Sequence, residues 1–214
     1  HPVKFESLKK QLIQMDAAVL AEGPDWWKED KSRSRKSTKT AKLPSGKDDT
    51  GRFQLVKGVN VTACDLGYRL KANGEGLALQ KLDSPIVGRA VLSTTYRSHQ
   101  KQGKTRNAAI VFGSDSSNQE TLKIGTAIGM NQHVAFRGGW KNVGELAKVD
   151  AKFESLDTFQ VQIEFDLDRH LAIAKINGKT VEAVLPTAWK EISWVGFYVK
   201  ATETDFADFK IELK

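Results

Sequence analysis

The chain has 214 residues, 40% of them hydrophobic and 28% charged, with a formal net charge of +7. That size suits one folded domain plus an appendage. It holds no run of about 18 apolar residues that could cross a bilayer as a helix, and its one cysteine, Cys64, excludes an internal disulfide framework and a cysteine-based zinc site.

The chain begins at His1 with no basic-apolar-small leader pattern, so it reads as a processed chain or a fragment of a longer protein. Residues 3–21 are expected to form a helix, because Phe5, Leu8, Leu12, Met15 and Val19 recur at steps of three and four. Pro2 suits a first turn, and Gly23-Pro24 ends the pattern. A lone helix of this length is marginal in water, so its stripe needs a partner. Trp26 and Trp27 need one too. Residues 28–50 then carry eight basic and four acidic side chains with almost no apolar ones, the composition of a flexible linker. The residues before it are net −1 and the 164 from Gly51 are net +4. The high basicity is thus mostly a linker property, and it argues for no specific nucleic-acid surface on the folded part.

From Gly51 the hydrophobic period becomes two. Phe159, Val161, Ile163, Phe165 and Leu167 alternate with Gln160, Gln162, Glu164, Asp166 and Asp168, which is strand alternation. Asn177-Gly178 joins a strand over 171–176 to a return strand from Lys179 to Leu185. Further strands are predicted at 52–57, 66–71, 75–81, 86–97, 106–113, 120–128, 131–137, 191–200 and 205–213. Many short strands with Gly, Asn and Asp turns and no crossover helices predict an all-β antiparallel jelly-roll sandwich. The expected organisation is 1–27 as helix and Trp-Trp tail, 28–50 as linker and 51–214 as β-sandwich.

Chemistry is sparse in this part. Glu164, Asp166 and Asp168 share a strand face at a spacing of roughly 7 Å, which glycoside hydrolysis could use; the plainer reading is the polar face of a half-buried strand. Cys64 has no base signature beside it and reads as a buried, inert thiol. His1, His99, His133 and His170 make no metal-ligand spacing, and His99 and His170 read as exposed loop residues. Arg137-Gly138-Gly139-Trp140 puts a cation and an aromatic at a strand end, where they could meet a sugar ring or an acidic group. If Val195, Phe197 and Val199 face the core, Trp194 and Tyr198 share the opposite face as a stacking platform; the competing reading places such aromatics in the core. Phe209 and Ile211 are expected inward on a closing strand, with Asp208 a candidate ligand for a structural calcium.

Two resemblances add expectations. Leu8-Lys9-Lys10-Gln11-Leu12 through Asp16 to Ala21-Glu22-Gly23-Pro24-Asp25-Trp26-Trp27 resembles the last helix and tail of bacterial sulfatases. Residues 51–214 resemble a concanavalin A-like lectin/glucanase jelly roll, of the laminin-G or keto-disaccharide-hydrolase-related kind. That resemblance is carried by Phe159 to Asp168, Ile176-Asn177-Gly178-Lys179, Val195-Gly196-Phe197 and Asp208-Phe209-Lys210-Ile211. The sulfatase formylglycine motif, Cys/Ser-x-Pro-x-Arg, is not met at Cys64, since Asp65 and Leu66 follow and Arg69 falls one position late. The resemblances therefore imply a non-catalytic accessory module behind a sulfatase-like domain of the same polypeptide, periplasmic or secreted in a bacterium. It would bind a glycan, a sulfated polysaccharide among the candidates, through Arg137, Trp140, Trp194 and Tyr198, without a cofactor other than the calcium considered above. The alternatives are a glycoside hydrolase acting through Glu164 and Asp166, and a structural module that docks on its neighbour.

Overall fold

The computed structural model describes residues 50–99, 106–128, 133–140, 144–152 and 158–214. The readings for the helix over 3–21, for Trp26 and Trp27, and for the linker up to residue 49 lie outside these residues.

Among the described residues, thirteen antiparallel strands follow a short 3-10 turn at Thr50–Arg52. They are β1 (Gln54–Val56), β2 (Val59–Cys64), β3 (Gly67–Ile86), β4 (Arg89–Ser98), β5 (Arg106–Gly113), β6 (Thr121–Ile128) and β7 (His133–Gly138). Then come β8 (Glu145–Asp150), β9 (Thr158–Asp166), β10 (Leu171–Ile176), β11 (Lys179–Val184), β12 (Ile192–Phe206) and β13 (Lys210–Leu213). The result is an antiparallel jelly-roll sandwich.

Local sequence explains most of these elements. In β9 the apolar set Phe159, Val161, Ile163 and Phe165 is buried, while Gln160 and Gln162 are exposed. Asn177 and Gly178 take φ of 45° and 78°, the two left-handed positions that a tight hairpin turn demands. Ile176 accordingly pairs with Lys179 across the turn.

Two long strands make the sandwich. The first half of β12 pairs with β5 and with the second half of β3, while its last residues pair with β4 and with the start of β3. The change comes at Ala201, whose φ is 51°, opposite a register shift around Asn73 and Gly74. Before it Val195, Phe197 and Val199 are buried in the core; after it Thr202, Thr204 and Phe206 are. One bulge therefore reverses which residues face inward and carries both strands from one sheet to the other. The first sheet runs β8-β7-β6-β5-β12-β3-β1. The second runs β11-β10-β9-β4, then β13 and the end of β12, then the start of β3 and β2.

The sequence reading expects separate strands at 66–71 and 75–81, with the break at 72–74. The sheet instead absorbs that stretch within β3. β2 and β8 were not foreseen, and the closing segment over 205–213 divides between the end of β12 and β13.

Between the sheets lies one apolar core. Phe197 stacks on Phe206 and Phe209 with ring centroids 4.4 and 4.5 Å apart, and Phe112 meets Phe165 edge-on at 5.0 Å. Trp189 is buried against Phe112 and donates its indole N–H to Glu120 Oε2 at 2.6 Å.

Candidate functional site

The alternation that buries Val195, Phe197 and Val199 turns Trp194, Gly196, Tyr198 and Lys200 to the outer face of the first sheet. Strand register sets their neighbours. Tyr198 lies in a cross-strand row between Leu77 on one side and Ala109, Gly125, Ala135 and Lys148 on the other. The adjacent row reads Leu79, Gly196, Val111, Lys123, Arg137 and Glu145.

Small residues in the Tyr198 row leave a shallow, solvent-open dimple about the size of a water molecule. Ala109, Gly125 and Ala135 floor it, and Tyr198, Lys123, Arg137 and His133 wall it. Gly125 is required there, because a Cβ would stand 2.1 Å from the Ala108 carbonyl oxygen and 2.6 Å from Ala109 Cβ. Gly125→Ala is expected to cost about 1–3 kcal/mol through overpacking, read as a lower urea midpoint. A midpoint equal to wild type would show that the strands yield without strain.

Toward β3 the face is apolar. Leu77, Leu79, Ala109, Val111, Trp140 and Tyr198 form a second cluster outside the main core, with Val56 and Trp194 packed against it. Trp140 is 8% exposed and Tyr198 3%. The four residues singled out from sequence thus reach one face, but in different states. Trp140 and Tyr198 are interior members of this cluster, Trp194 is half-buried and Arg137 stands at the depression's wall. The Tyr198 ring is not an open stacking surface, because Lys123 Nζ sits 4.3 Å from its centroid.

A charge network rims the site. Glu75 pairs with Lys57 at 2.6 Å and Lys200 at 3.6 Å and accepts from the Tyr198 hydroxyl at 3.3 Å. Burial would push Glu75 up, but the Lys57 hydrogen bond and the two lysine charges hold its carboxyl below the usual range. Burial and Glu75 together push the Tyr198 phenol up. Arg137 Nη2 donates to Glu145 Oε2 and to His133 Nε2, each at 3.1 Å. Lys123 is driven down to about 8, chiefly by burial; Glu75 opposes the shift, while Arg137, Lys200 and Lys57 add to it.

The sequence reading missed Lys123, His133, Glu75 and the small-residue floor. The one available signal was Gly125 in the middle of a strand, which often marks close backbone approach.

The remaining candidates lie elsewhere. Glu164 and Asp166 are on the outer face of the second sheet, where Glu164 pairs with Lys175 at 3.2 Å and Asp166 with Arg89 at 2.9 Å. Each carboxylate already has a cation from a neighbouring strand. Asp168 is exposed in the following turn, and the Asp208 carboxylate is taken by the Arg52 guanidinium. Among the described residues there is no group of three or more His, Cys, Asp or Glu side chains placed to hold a metal. Cys64 ends β2 half-exposed rather than buried, because that edge strand covers the core on one side only. His99 is not merely a surface residue: its Nε2 lies 2.7 Å from the buried Asp205 carboxylate.

No protein-family model matches the sequence, and no curated protein matches it. Solved structures do match in fold. The carbohydrate-binding module CBM66 from Bacillus subtilis aligns with TM-score 0.60 at 12% identity, covering 75% of this chain and 95% of its own. The Emp46p carbohydrate recognition domain in its metal-free form aligns with TM-score 0.56 at 12% identity, over 80% of this chain and 92% of its own. A Lotus tetragonolobus seed lectin aligns with TM-score 0.53 at 13% identity, over 77% and 94%. At such identities the likeness shows a shared fold, the antiparallel jelly-roll sandwich.

Proposed function

We propose that the outer face of the first sheet binds a carbohydrate, and that residues 51–214 act as a non-catalytic accessory module. The observation that carries this reading is the depression floored by Ala109, Gly125 and Ala135. It offers a flat surface of small residues over which a ring could lie, with donors and acceptors on Lys123, His133 and Arg137 and a half-buried indole, Trp194, farther along the face. Shallow sites with a few fixed polar groups and an apolar flank suit sugars, which present hydroxyls at their edges and C–H groups on their faces. The reading is supported by the solved structures of the same fold, whose names include a carbohydrate-binding module, a carbohydrate recognition domain and a seed lectin. The resemblance of residues 8–27 to a sulfatase tail supports a place behind a sulfatase domain of a secreted or periplasmic bacterial protein. The ligand would then be a polysaccharide, sulfated if that domain works on the same polymer.

A glycan array probed with the full chain tests the reading, followed by calorimetry on the best saccharide. Ala135→Trp blocks the face from its floor and is expected to weaken binding at least about tenfold, equivalent to about 1.4 kcal/mol. Because Ala135 is buried, overpacking should also lower the melting temperature, so affinity is measured well below it on folded protein. An array without binders would remove the carbohydrate reading. Undiminished affinity in Ala135→Trp would move the site elsewhere.

A further inference from the structure

The depression contains one charged group whose needs the fold leaves unmet. Lys123 is 5% exposed, yet among the described residues its ammonium donates only to the Trp140 carbonyl oxygen, 3.2 Å away, and otherwise rests over the Tyr198 ring. An ammonium carries three N–H donors. Among the described residues no carboxylate stands within ion-pair distance of it. Glu75, whose charge it does feel, is committed to Lys57, Lys200 and the Tyr198 hydroxyl. Burying a charge without a counter-ion is costly, and such a charge lining a cleft marks a candidate ligand site. Arg137 is its cross-strand neighbour, so two cations border the Gly125–Ala135 floor.

We propose that Lys123, with Arg137 beside it, seats the acidic substituent, a carboxylate or a sulfate ester, of a saccharide lying over Ala109, Gly125 and Ala135. This rests on the carbohydrate reading above and names the class of ligand. A lysine there acts as a point charge with rotatable donors, suited to either anion, while the arginine adds directed donors.

The experiment is a glycan array carrying neutral, uronate-bearing and sulfated oligosaccharides, probed with the full chain, Lys123→Met, Arg137→Gln and the control Lys179→Met. Lys179 is exposed at the start of β11 in the second sheet and does not line the depression. Wild type and the control are expected to prefer acidic saccharides, and Lys123→Met to lose at least about tenfold affinity for them. Lys123→Met is expected to melt no lower than wild type, since it removes a buried charge and keeps the packing volume. Should that variant fail to fold, Arg137→Gln carries the same comparison with a smaller loss. The uronate and sulfated arms tell which anion is favoured. Basic residues of the linker are unchanged in every variant, so polyanion attraction through them does not separate wild type from Lys123→Met.

Affinity for the acidic saccharide should also fall as pH rises through about 8, where the ammonium loses its proton. The groups facing Lys123 are Tyr198 and Lys200 from β12, Glu75 from β3, Lys57 after β1, and Arg137 and His133 from β7. Lys123→Met keeps all of them, and the fall should vanish in it. Equal binding of acidic saccharides by wild type and Lys123→Met, or binding of neutral saccharides alone, overturns the anion seat and leaves the carbohydrate reading standing. No binder of any kind overturns both.

Discussion

Asp205→Ala is expected to destabilise the sandwich by about 2–3 kcal/mol: it removes charge-assisted hydrogen bonds, but the arginines it leaves behind are partly exposed and can be hydrated. Asp205 is 0% exposed and lies on β12 just beyond the bulge at Ala201. Its carboxylate accepts from Arg69 Nε at 2.6 Å and Nη2 at 3.0 Å, and from Arg97 Nη2 at 3.1 Å, with His99 Nε2 at 2.7 Å. Arg69 and Arg97 are its cross-strand partners on β3 and β4, so one carboxylate ties three strands together at the corner between the sheets. Alanine would leave two guanidinium groups side by side, with Glu203 engaging only Arg69 among them. Urea denaturation with an unchanged slope and a lower midpoint checks the expectation. A loss under about 1 kcal/mol would mean that water and Glu203 replace the carboxylate.

The same group sets an acid dependence. Burial would push Asp205 up, but hydrogen bonds from Arg69, His99 and Arg97 outweigh it and hold the carboxyl far below the usual range. The folded pKa is depressed, so the unfolded chain takes up the proton first as pH falls. The stabilisation is therefore complete above the ordinary aspartate value of about 3.9 and drains away below it. Asp205→Asn should lower stability at neutral pH and flatten that acid slope.

Phe197→Ala is expected to cost about 3–5 kcal/mol, the range for truncating a buried aromatic. The ring is fully buried, stacked on Phe206 and Phe209, and 5.9 Å from Phe53. It joins residues from three parts of the chain, so no single neighbour can move to fill the space. Phe197→Leu keeps much of the volume and should cost about 1–2 kcal/mol. Chemical denaturation of both variants gives the comparison. Equal losses would show that volume counts for nothing here, and that ring geometry alone holds the cluster. Neighbouring Tyr198 faces the opposite side of the sheet, so saccharide binding should persist in the folded fraction.

How far the sequence could be read follows from where its signal is local. Strands β5 and β10 were foreseen at 106–113 and 171–176, because period-two alternation and the Asn177-Gly178 turn are chemistry of neighbours. The break expected at 72–74 is absent, because a partner strand accommodates the irregularity, which composition does not reveal. The alternation around Val195 and Phe197 puts Trp194 and Tyr198 opposite the core only if Val195, Phe197 and Val199 face inward; those three are buried. That Tyr198 and Trp140 would nevertheless be covered depends on Leu77, Leu79 and Val111, brought from β3 and β5 into a second apolar layer.

Lys123 marks the limit most sharply. Read along its strand it is one more polar residue alternating with Leu122 and Ile124, which is the pattern of a solvated face. Its burial arises from the Trp140 carbonyl it donates to, the Tyr198 ring its ammonium rests against and the small residues Ala109 and Ala135. Each of those comes from a different stretch of chain. The amino-acid order by itself determined that this is an antiparallel β protein, which residues face the core of each strand, and where its hairpins turn, since those depend on residues one to four apart. Only the tertiary structure decided which outward face becomes a site and which charge is stranded within it, because register between distant strands sets both.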